Sequence, residues 1–143
     1  MPRDPHEGAT RTILVGCEIG SVVFVRDYVQ LTFEPSLVGD YDGPGAVTHP
    51  LFPEGVEWPR LSAYTHPRIQ KGGKWLSWDE PGYRDALCAC INSKVTGIEI
   101  LEGERFDLSL GDVTIRISLR EEDSPAGEAL ALDGFHDLSS LVL

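Results

Sequence analysis

Cysteine is scarce in this 143-residue chain, where Cys17, Cys88 and Cys90 are the only three. A sparse, odd set is no framework for a disulfide-stapled fold and reads most simply as reduced thiols in a cytoplasmic protein. No apolar run approaches the roughly 20 residues that a membrane helix needs. The opening residues, Met1-Pro2-Arg3-Asp4-Pro5-His6-Glu7-Gly8, have neither the basic region nor the apolar segment of a signal peptide. Basic residues are also few. Twelve Lys and Arg face 23 Asp and Glu, a formal charge of −11, so the long-range field repels nucleic acid and anionic membranes. Also missing are a Gly-x-Ser-x-Gly elbow, a glycine-rich phosphate loop and a His-Glu-x-x-His helix, so no residue is assigned as catalytic and no cofactor is expected.

What is present is strand pattern. Residues 98–101, 105–110 and 113–119 alternate apolar with polar at period two. Gly111-Asp112 is a tight-turn pair, and Glu102-Gly103-Glu104 is a loop with a glycine for positive φ. These turns set Leu108 opposite Ile115 and Ile98, and Phe106 opposite Ile117 and Ile100. One face then carries nine apolar side chains: Ile98, Ile100, Phe106, Leu108, Leu110, Val113, Ile115, Ile117 and Leu119. A slip of one residue would turn them all to water, so the register is well specified.

An earlier hairpin joins residues 21–25 to 28–33 through Arg26-Asp27, with Val22 facing Leu31 and Phe24 facing Val29. Leu14, Cys17, Val22 and Val25 match Leu87, Cys90, Val95 and Ile98 at a shift of 73 residues, and after a four-residue insertion at the loop Leu31-Thr32-Phe33 matches Leu108-Ser109-Leu110. Two related units, as halves of one sheet or as facing layers, would give this pattern, and so would chance likeness between hairpins. Between the units, residues 34–80 hold six prolines and all three tryptophans, Trp58, Trp75 and Trp78. That composition argues against a long helix or central strands, leaving short strands at 46–48 and 61–64. Asp79-Glu80-Pro81 opens one short helix with Tyr83, Ala86, Leu87, Cys90 and Ile91 on its inner side, ending near Asn92-Ser93. Residues 120–127 read as an exposed acidic turn, 128–132 as an edge strand or a helical turn, and Phe135, Leu138, Leu141, Val142 and Leu143 as a docking tail. The expectation is a mobile tail at 1–11 and a single α+β domain at 12–143, mainly antiparallel β. It comprises two related hairpin or meander units, one short helix over the sheet and a Trp/Pro-rich insertion.

The Pro81-Gly82-Tyr83-Arg84-Asp85-Ala86-Leu87-Cys88 opening, Val95-x-x-Ile98 and the Gly111-Asp112 hairpin running into Ile117-Ser118-Leu119 resemble small uncharacterised bacterial proteins classed as domains of unknown function. The resemblance rests on core and turn positions and implies no activity and no catalytic residues.

Candidate chemistry is correspondingly thin. Cys88 and Cys90 point apart on a helix, so a zinc site with Cys17, His49 or His66 is a poorer reading than core thiols. Asp40 and Asp42 lack the glutamate of a calcium loop. His49 and His66 both precede proline, in extended or turn backbone, and a dyad of either with Cys17 has only arithmetic behind it. The better candidate is a partner-binding surface: Arg68, Lys71, Lys74, Trp75 and Trp78 from the insertion, with the acidic Glu121, Glu122 and Asp123. From Glu99 onward eleven acids face three bases. The expected function is therefore a non-catalytic acidic protein-interaction module. Its forms are an immunity-type inhibitor of a basic toxin, a subunit of a small assembly, or a homo-oligomer. The alternative is a small-molecule binder or enzyme with a pocket between sheet and insertion, using His49, His66 and Asp79.

Overall fold

The computed structural model describes residues 3–26, 28–35, 59–124, 128–133 and 140–142. About half of them lie in antiparallel strands: β1 Cys17–Val25, β2 Tyr28–Pro35, β3 Arg60–Ala63, β4 Arg68–Lys71, β5 Lys74–Leu76, β6 Gly97–Leu101, β7 Arg105–Leu110, β8 Val113–Ser118, β9 Leu130–Asp133 and β10 Ser140–Val142. Helices α1 Glu7–Leu14 and α2 Tyr83–Cys88 precede β1 and β6, and a 3-10 turn spans Glu121–Asp123. The fold is thus α+β and mainly antiparallel β, in two five-stranded sheets, β1-β2-β3-β9-β10 and β5-β4-β8-β7-β6. Both contribute to one hydrophobic core.

The meander follows its sequence pattern residue for residue. Leu108 pairs with Ile98 and Ile115, and Phe106 with Ile100 and Ile117. Seven of the nine apolar side chains are buried, and Val113 and Leu119 pack against the core from its margin. Gly111, at φ +70°, turns β7 into β8 in a conformation that a Cβ would strain. In the first hairpin Val22 pairs with Leu31 and Phe24 with Val29, as the two-residue connection requires. A bulge at Gly20 shifts the register between Ile19 and Ser21, and a Cβ there would collide with the Glu34 side chain.

The connectivity occurs twice. Each half runs helix, three-stranded meander, then a hairpin. The hairpin of each half joins the other half's sheet: β4-β5 extends β8, and β9-β10 extends β3. The Leu14/Leu87 and Cys17/Cys90 matches hold, since all four side chains are buried. The Val22/Val95 and Val25/Ile98 matches do not. The ladders set Val22 in the place of Ile98 and Phe24 in that of Ile100, because both pairs face equivalent residues, Leu31/Leu108 and Val29/Phe106. Residues 92–95 intervene before β6, hydrogen-bonding to residues 16–19 at the start of β1.

Several expectations need correction. Residues 7–11 belong to α1 rather than to a mobile tail, because the Glu7 carboxylate is buried and accepts hydrogen bonds from the Ile100 amide, Arg3 and Arg11. The helix after Pro81 stops at Cys88, with Gly82 left-handed at its N-cap and Asn92 at φ +75° beyond it, so Ile91 is 36 % exposed instead of facing inward. Residues 34–80 supply two interior strands, β3 and β4, because Pro59 and Pro67 lie just outside them. Residues 130–133 form an interior strand between β3 and β10 rather than an edge. Expectations for 36–58, including the strand at 46–48, His49, Asp40, Asp42 and Trp58, and for Phe135, Leu138 and Leu143, lie outside the described residues. The backbone of Leu141 and Val142 is in β10.

Candidate functional site

The two exchanged hairpins are reached by two crossovers, residues 64–67 before β4 and 119–129 before β9. These segments meet. The Tyr64 and Thr65 amides donate to the Ala129 carbonyl, and Thr65 Oγ1 donates to the Ser118 carbonyl at 3.1 Å. Where they meet, an open cleft of about 830 Å³ forms. Tyr64, Thr65, His66 and Arg68 line it from the first crossover and β4, Ser77, Trp78 and Asp79 from the turn after β5, and Glu104, Arg105, Arg116, Ser118, Arg120 and Asp123 from the meander and the acidic turn.

Its wall is aromatic. The His66 ring stacks on Trp78 with centroids 4.7 Å apart and planes 20° from parallel. Trp78 is nevertheless 56 % exposed, the most open of the large apolar side chains among the described residues. Tyr64 leans on Tyr28 at 5.4 Å. Large, rigid rings held half in water are the side chains that anchor partners.

Its floor is a charge network on the outward face of β6, β7, β8 and β4. Arg116 Nε and Nη2 donate to both Asp107 oxygens at 2.8 and 3.0 Å, a two-pronged ion pair. Arg105 bridges Asp107 and Glu99 at 3.1 and 2.9 Å. The hydrogen bond to Asp107 raises the Arg116 pKa above its ordinary value, against a smaller opposing effect of burial. Arg68 and Arg116 both lie over Trp75, with guanidinium carbons 5.1 and 4.7 Å from the ring centre. Arg120 pairs with Glu122 and Asp123 at the rim, and Ser118 Oγ meets Asp123 at 2.6 Å. Most of the arginine charge is thereby answered within the site, leaving the rim acidic.

Of the residues expected at a partner-binding surface, Arg68, Trp78 and Asp123 line the cleft and Trp75 supports it. Glu121 and Glu122 border a shallower depression with Gly103, Glu104 and Arg120. Lys71 and Lys74 instead face each other as exposed residues at the β4-β5 turn, outside the cleft lining. His66 and Asp79 also line it, while His49 lies outside the described residues. Cys17 is buried, and burial pushes its thiol up to about 11, which removes it as a nucleophile near neutral pH. Cys90 is likewise buried and shifted to about 11, whereas Cys88 is exposed. No cluster of three metal-ligating side chains occurs among the described residues, and no described helix is long and apolar enough to cross a membrane.

Sequence patterning missed Tyr64, Arg105, Arg116 and Arg120. The available signal was the polar face of the meander, where Arg105, Asp107 and Arg116 alternate with core residues and fall together once the register is set. No family model, no curated protein and no solved structure matches the chain.

Proposed function

We propose that this protein is a non-catalytic interaction module that uses the cleft and its acidic rim to bind a basic protein. Trp78 carries the reading: a tryptophan 56 % in water, held flat on His66 at the mouth of a cleft, has a partner's surface as its natural cover. Glu104 and Asp123 in the same cleft lining, Glu121 and Glu122 on the neighbouring depression, and the net charge of −11 would speed encounter with a basic surface and disfavour acidic ones. An immunity-type inhibitor of a basic toxin is the concrete form; a subunit of a small bacterial assembly is the broader one.

The test is affinity capture from the source cell by the intact protein, by Trp78→Ala and by a Glu121→Gln/Glu122→Gln/Asp123→Asn triple variant. The expected result is one basic protein captured by the parent, lost with Trp78→Ala, and bound more weakly by the triple variant and in high salt. Equal capture by all three would overturn the reading. A small-molecule site is the second reading, favoured by the convergence of His66, Asp79 and Arg68 on the same cleft.

A further inference from the structure

The repeated connectivity supplies an internal control for the charge network. In the second sheet one outward row crosses four strands as Glu99, Asp107, Arg116 and Arg68, each paired with the next. The matching row of the first sheet is Val23, Gln30, Ser62 and Ala131. The fold therefore accommodates uncharged side chains at these positions, and strand pairing does not require the charges. Trp75 also has a small counterpart, at Ser140.

Within the charged row the pairing is incomplete. Asp107 and Glu99 are taken by Arg116 and Arg105. Arg68 ends the row, with no carboxylate partner among the described residues, directly opposite the like charge of Arg116. Like charges facing across a strand pair are unfavourable unless a negative group joins them. Arg116 has both Nε and Nη2 engaged with Asp107, which leaves Nη1.

The geometry points to a carboxylate-binding site at Arg68, completed by Arg116 Nη1, floored by Trp75 and open to the cleft beside His66 and Trp78. A guanidinium binds a planar carboxylate through two parallel hydrogen bonds, and stacking on Trp75 orients that fork beforehand. One negative charge fills the gap in the row. A phosphate dianion would bring one charge more than the row leaves unanswered, since Arg105, Arg116 and Arg120 of the same lining already have carboxylate partners. An aromatic ring attached to the carboxylate would lie against the His66–Trp78 stack. The inference rests on the cleft being the recognition surface, and the carboxylate belongs either to an acidic side chain of the basic partner or to a free small acid.

Benzoate is the probe, with benzamide and inorganic phosphate as comparators, read by NMR at the Arg68 Nε and Trp75 indole resonances of the intact protein. Expected are saturable shifts with benzoate, none with benzamide and weaker ones with phosphate. Arg68→Gln should weaken benzoate about tenfold or more, with Arg68→Lys intermediate and Arg60→Gln, in the first sheet, unchanged. No saturable shift with benzoate, equal shifts with benzamide, or undiminished binding by Arg68→Gln would each overturn the site. Benzoate that displaces a captured partner assigns the carboxylate to that partner; benzoate that binds beside it assigns a free acid. Failure to capture a basic protein would sink the interaction proposal and leave the benzoate result standing.

Discussion

Cys17 and Cys90 hold the same post in the two halves of the molecule: each thiol donates to the carbonyl four residues earlier, Ile13 and Ala86, at 3.4 Å. Both are buried where helix gives way to the next segment, and burial pushes both to about 11. Neither is available as a thiolate at neutral pH.

The labelling prediction follows from that burial. Iodoacetamide on the native protein at neutral pH should add one label, at the exposed Cys88, and three only after denaturation, as read by peptide mass spectrometry. Rapid native labelling of Cys17 would contradict the packing around α1.

Glu7 fastens α1 to β6, accepting from the Ile100 amide at 3.0 Å and from Arg3 and Arg11 at 2.7 Å. Burial alone would raise its pKa, but the amide and the two guanidiniums together hold it below the ordinary 4.5. A carboxyl depressed in the folded state contributes fully above its unfolded value and loses that contribution as pH falls through the lower folded one. Glu7→Gln should cost about 1–3 kcal/mol at pH 7 and flatten the acid limb of the stability curve, measured by urea unfolding between neutral pH and pH 3.

Ile69 tests the exchange of hairpins. It is fully buried opposite Ile115 although it lies in the proline-rich half of the chain. Ile69→Ala and Ile115→Ala should each cost about 2–5 kcal/mol in chemical denaturation. A near-neutral Ile69→Ala would mean that β4 does not close the second sheet.

Tyr83 joins α2 to the first crossover, its buried hydroxyl donating to the Pro67 carbonyl. Tyr83→Phe removes that donor and leaves the carbonyl without it, a loss of about 1–3 kcal/mol readable by thermal unfolding. The same variant should disturb the His66 ring resonances, since His66 precedes Pro67 in the chain.

The meander was legible because period-two alternation and two short turns leave a single register that buries Phe106 and Leu108. β4 was not, since it turns one apolar residue, Ile69, inward and follows a His-Pro pair that reads as loop. Gly72-Gly73, at φ +62° and +77°, carried a hairpin signal that suited flexibility equally well. The burial of Glu7 depends on an amide 93 residues away, beyond the reach of local pattern. The cleft arises where segments 53 residues apart touch, at Thr65 and Ser118, so its aromatic wall and arginine floor come from stretches with no shared motif.

The exchanged hairpins make residues 77–82, between β5 and α2, a tether whose job is arithmetic. Each side of it owns three strands of one sheet and the closing pair of the other, so neither side can be completed alone. The short link holds the two at an effective concentration on the order of millimolar. Cutting it would turn a unimolecular transition into a bimolecular one, and the unfolding midpoint would begin to move with dilution.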